Sequence, residues 1–146
     1  MRTELVRFRA LSPAERRVLV SAWCWLLVAR VIVRCGPLRS GLALVAGSWA
    51  APGSGRARPT LAVERVVGLV EAAARHHPLT PTCLEKALVT VRLLRDFGAG
   101  VELVLGVMRS ERFAAHAWLE KQGRVMAPGK LDDAYEPLLR LDLGAP

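Results

Sequence analysis

Val18 to Ala29 is an apolar run broken by no charge, with Arg16-Arg17 before it and Arg30 and Arg34 after it. Ser12-Pro13-Ala14-Glu15 ahead of it supplies a cap, a proline at the first helical position and an acid in the first turn. A helix is predicted, stopped by Gly36-Pro37. A second apolar stretch, Gly41 to Ala51, runs into Pro52-Gly53-Ser54-Gly55, Arg56, Arg58 and Pro59, the best linker in the chain. Leu61 to Arg75 then reads as a helix with Val63, Val66, Val67 and Val70 on one face, ended by His76-His77-Pro78.

Thr82-Cys83-Leu84-Glu85 has the Thr-x-x-Glu form of a capping box, so a helix should begin at Cys83. Leu84, Ala87, Leu88, Val91 and Leu94 continue it at helical spacing, and Gly98 and Gly100 close it. The period then changes. Val101 to Met108, Phe113 to Glu120 and Arg124 to Ala127 read as strands, separated by Arg109-Ser110-Glu111 and Gln122-Gly123. The predicted fold is α+β: N-terminal helices, then a central helix packed on a small antiparallel sheet. With 146 residues, one domain over 1–146 is expected. The linker divides it into a helical region, 1–58, and a core, 59–146.

Charge sharpens that division. Residues 1–60 carry ten arginines against only Glu4 and Glu15, whereas residues 61–146 carry eleven basic and eleven acidic residues. A net charge of +8 ordinarily raises nucleic acid as a partner, but no basic strand interleaved with aromatics and no recognition helix is present. Nucleic acid is therefore not expected, and the basic face is read as a surface for an acidic partner. Three irregularly spaced cysteines argue against a disulfide framework and against a zinc site of paired ligands, so a reducing cytoplasm is the simplest setting. No metal or cofactor is implied. The Val18–Ala29 run superficially matches a signal peptide, but no small-x-small site follows Ala29, and the run falls short of the roughly 20 residues that span a bilayer. It is read as a buried amphipathic helix, with Trp23 and Trp25 in a core or subunit interface; membrane association is the less favoured reading.

Cys83 carries the sharpest chemical signal. A helix start offers free N–H groups and the positive end of the dipole, which stabilise a thiolate and can stabilise an oxyanion. Burial as a small hydrophobe is the competing explanation, and it is the one adopted for Cys24 and Cys35. Strand alternation groups His116 with Ala114, Trp118 and Glu120, and a helix packed across the meander would let an imidazole there serve the thiol as base. The plainer alternative is a structural histidine packed on Trp118. Among acids that could orient the imidazole, Glu120 points beside it, and Asp132, after Pro128-Gly129, is the choice over Asp133. His76 and His77 are read as solvated helix caps.

Pro81-Thr82-Cys83-Leu84-Glu85-Lys86-Ala87-Leu88, Leu93-Leu94-Arg95-Asp96-Phe97-Gly98, Leu105-Gly106-Val107, His116-Ala117-Trp118-Leu119-Glu120 and Gly123-Arg124-Val125 together resemble the transglutaminase-like leader peptidases of lasso-peptide biosynthesis. Leu11 to Arg17 and the helix after it also resemble that family. The resemblance implies a papain/transglutaminase-like fold and a cysteine protease that removes the leader from a ribosomally made precursor before a cyclase closes the macrolactam. It makes Cys83 the nucleophile and His116 the general base. In the family an acid follows the His-Ala-Trp strand where this chain has Pro128, so either Asp132 has taken that role or the enzyme runs as a dyad. The implied partners are the precursor peptide, a separate leader-recognition protein (the chain having no room for a fused one) and a lasso cyclase. An acyltransferase on the same scaffold and a non-catalytic peptide-binding partner are the alternatives.

Overall fold

The computed structural model describes residue 8 and residues 10–37, 61–109, 113–127 and 135–142. Among the described residues, three helices, α1 (Pro13–Cys35), α2 (Val63–Arg75) and α3 (Cys83–Arg95), precede four strands: β1 (Glu102–Arg109), β2 (Phe113–Lys121), β3 (Arg124–Ala127) and β4 (Tyr135–Asp142). The strands form one antiparallel sheet in the order β3-β2-β1-β4, so the fold is α+β as expected. Gly41 to Ala51, the linker and its Arg56 and Arg58, and the Pro128-to-Asp133 segment with Asp132 lie outside the described residues.

Both predicted capped starts are present. Ser12 accepts from the Glu15 amide and Glu15 accepts from the Ser12 amide, which satisfies two donors that a helix start would otherwise leave unpaired. Thr82 and Glu85 do the same for α3. Val18, Ala22, Leu26 and Ala29 form the buried stripe of α1. By length and composition α1 could also cross a membrane, since it extends well beyond its uninterrupted apolar run; this stripe faces protein, but Val20, Trp23, Val28 and Val31 are exposed, so the helix is buried along one side and not throughout as expected. Val63, Val66, Leu69, Val70 and Ala73 are the buried positions of α2. α3 is buried from Ala87 through Leu94, so it is the central helix. Its end is set by Gly98, whose φ of +68° suits a residue without a Cβ.

Leu103, Ala117 and Leu119 join the helical side chains in one core. That assigns one sheet face to the helices. β2 and β3 meet through Gln122-Gly123 with φ of 52° and 74°, the conformation of a tight two-residue hairpin turn. β4, which sequence patterning did not predict, pairs with β1 along the far edge, with a register shift at Leu105/Gly106 opposite Pro137. A proline can occupy such an edge because the missing N–H leaves no ladder bond broken inside the sheet.

Two expectations about side chains are corrected. Cys24 and Cys35 are exposed rather than core residues, because Cys24 falls off the buried stripe and Cys35 ends the helix. His77 is not solvated: it is buried, with its ring centroid 5.0 Å from that of Trp23, while His76 stays exposed at the end of α2. Trp23 itself is partly exposed; Trp25 packs on the core beneath the Arg92 guanidinium.

Candidate active site

Cys83 is the first residue of α3 and is half-buried against the helical core. The capping box uses the Thr82 and Glu85 amides, so the Cys83 and Leu84 amides keep no partner among the described residues. Two N–H donors at the positive end of a central helix thus lie beside a thiol. This is the arrangement that stabilises sulfur as an anion and a carbonyl oxygen as it gains charge.

The segment before the cysteine is held by α1. Arg30 Nη2 donates to the carbonyl oxygens of Leu79 (2.5 Å) and Thr80 (2.9 Å), and Nε lies 3.5 Å from Glu85 Oε1. On the other side Lys86 pairs with Glu71 of α2 at 3.0 Å. The start of α3 is therefore tied to both preceding helices.

His116 lies in β2 directly opposite Gly106. Its ring stacks on Trp118 (centroids 6.1 Å apart, 20° between planes) and meets Tyr135 at 5.2 Å and 39°. Alternation puts His116, Trp118 and Glu120 on the sheet face opposite Ala117 and Leu119. Trp118 is buried there, and its Nε1 donates to Glu120 Oε1 at 2.8 Å. Arg140 of β4 donates to Glu120 Oε2 at 2.7 Å and reaches Glu102 at 3.4 Å. Burial pushes the Glu120 carboxyl up, but the hydrogen bonds from Arg140 and Trp118 and the charge of Arg140 outweigh it and hold the group below the usual carboxylate range. Glu120 thus anchors the indole against which the imidazole stacks.

Among the described residues no hydrogen bond or ion pair joins Cys83 to His116, and the described ring neighbours of the imidazole are Trp118 and Tyr135. No three His, Cys, Asp or Glu side chains gather as a metal site among the described residues. Sequence reasoning missed Arg30, Gly106, Tyr135 and Arg140. Gly106 carried a signal, a glycine inside a β-rich run, which marks a close approach. Nothing local marked Arg30, whose partners lie about fifty positions away.

A family profile described as Transglutaminase-like superfamily matches residues 20–140. No curated protein and no solved structure matches the chain.

Proposed function

Since the chain belongs to the transglutaminase-like superfamily, whose members are commonly cysteine peptidases or transglutaminases, we propose that it is a cysteine peptidase that removes the leader of a lasso-peptide precursor before the macrolactam is closed. The observation that carries the reading is Cys83 at the first position of a capped, central helix, beside amides that no described residue claims. The sequence pieces around Cys83 and His116 supply the substrate class.

The pairing of these two residues rests on the sequence resemblance, since alternation puts His116 on the sheet face away from the helices while Cys83 starts the helix that packs on the other face. In the proposed reaction His116 takes the proton from the Cys83 thiol, and the sulfur attacks the carbonyl carbon of the last leader residue. The Cys83 and Leu84 amides stabilise the oxyanion. When the C–N bond breaks, the core peptide leaves as an amine with the proton from His116, and the leader stays as a thioester. Water, deprotonated by the same imidazole, releases the leader carboxylate. The first step requires the thiol and the imidazole to meet at hydrogen-bond distance in the substrate complex.

A separate leader-recognition protein presents the precursor, docking on the arginine-rich N-terminal region, where Arg17 and Arg34 are exposed. Incubation of the protein with a precursor and its leader-binding partner, followed by mass measurement of the fragments, tests the proposal. Two fragments that sum to the precursor plus one water support peptidase action. An added amine found in the leader fragment instead of water identifies the acyltransferase, and uncleaved precursor with a normally folded protein refutes both.

A further inference from the structure

Arg30 is the side chain through which the N-terminal helix reaches the proposed site. Its guanidinium holds two carbonyls upstream of Cys83, those of Leu79 and Thr80, and faces the carboxylate of Glu85 downstream. Glu85 is 1% exposed, and its other oxygen accepts from the Thr82 amide at 2.8 Å. The cysteine therefore sits inside a loop of backbone closed on both sides by a single cation. Removing that cation would leave the Glu85 charge buried without its counter-ion and release both carbonyls. The planar fork of arginine suits this task, whereas a lysine presents one point charge.

A second contact from the same helix acts on the same segment. Trp23 lies seven residues before Arg30, two helical turns away and on the same side of α1. It packs on His77, whose Nδ1 accepts from the Leu79 amide at 3.2 Å. Residues 77–85 are thus pinned to α1 at both ends.

We propose that Arg30 is a positioning residue for Cys83, setting the sulfur and the Cys83 and Leu84 amides in register with the bound carbonyl. This rests on Cys83 being the nucleophile. It makes α1 part of the catalytic apparatus, although α1 contributes no group to the chemistry.

The test uses the full chain with Cys24→Ala and Cys35→Ala, so that Cys83 is the only thiol. The probe is p-nitrophenyl acetate. The Cys83 thiol loses its proton to solvent, its sulfur attacks the acetyl carbon, p-nitrophenolate leaves with the bonding electrons, and water hydrolyses the thioester to acetate, a proton and the free thiol. In Arg30→Ala the acylation rate constant should fall by about tenfold or more with KM unchanged, since displacing a positioned nucleophile costs rate rather than binding. Amide exchange in 79–86 should quicken about tenfold while the core of α3 stays protected. If Arg30→Ala does not fold, Arg30→Lys takes its place, with a smaller loss expected. A folded variant that acylates at the parent rate with unchanged exchange overturns the role of Arg30. A parent protein without any Cys83-dependent burst overturns the nucleophile and this role together, which separates the two failures.

Discussion

A Cβ placed on Gly106 would stand 2.5 Å from Trp118 Cη2 and 2.8 Å from the Glu136 carbonyl oxygen. The indole occupies the space that a side chain at the centre of β1 would fill, and His116, opposite Gly106, stacks on that indole. The glycine, the tryptophan and the histidine thus form one packing unit on the sheet face away from the helices.

Gly106→Ala should therefore destabilise the protein by about 1–3 kcal/mol, the usual range for overpacking, because backbone stands on one side of the new methyl group and a buried ring on the other. Leader release should fall as well, since the ring under His116 must move. Chemical denaturation and the cleavage assay measure the two effects. A variant with unchanged stability and activity would show that the indole has room to shift.

Cys83→Ala is expected to abolish leader release while changing stability by less than about 1 kcal/mol, because a small, half-buried side chain at a helix start is lost and the capping box is untouched. Normal cleavage by that variant removes Cys83 from the mechanism.

His116→Ala should slow turnover by about two to four orders of magnitude, the range for loss of a general base. Labelling of Cys83 by iodoacetamide should slow with it. An unchanged labelling rate would count against a thiol activated by this imidazole, and would leave His116 as a packing residue on Trp118 and Tyr135.

Stability should decline in acid. Glu15 is held at about 2, first by the Ser12 amide and then by Arg65 and the Ser12 hydroxyl, against an ordinary value of 4.5, and Glu120 is also held below its ordinary value. Carboxyls depressed in the folded state contribute stability above their unfolded value, and that contribution is lost as pH falls from about 4.5 through the folded values. Urea midpoints at pH 7, 4.5 and 3 should fall in that order. Glu120→Gln should start lower at pH 7 and lose less between pH 4.5 and pH 3. An equal loss in both proteins would exclude Glu120 as a contributor.

Cleavage by the isolated protein should be slow at low precursor concentration. A leader-binding partner should accelerate it by raising effective concentration, and added salt should weaken that acceleration by screening the arginine-rich surface. Full-speed, salt-insensitive cleavage without a partner contradicts the docking proposal.

Local chemistry by itself determined the helices, the central hairpin and the place of the cysteine. Ser12 with Glu15 and Thr82 with Glu85 are i, i+3 pairs whose hydrogen bonds close within one turn, and Gln122-Gly123 writes its turn into two adjacent residues. Alternation in the stretch from Phe113 to Glu120 likewise set His116 beside Trp118 before any packing was known. β4 was illegible because Pro137, Glu136 and Arg140 break any alternating apolar pattern; the strand exists because β1 offers it an edge to pair with. The burial of His77 depended on Trp23, and the exposure of Cys24 on which stripe of an apolar helix meets α2 and α3. An almost uniformly apolar helix does not specify that stripe, since several faces would exclude water equally well. The grip of Arg30 on Leu79, Thr80 and Glu85, and of Arg140 on Glu120, was likewise decided only by tertiary structure. An arginine's partners depend on which backbone or carboxylate the packing of other elements brings within reach, and no spacing along the chain encodes that distance.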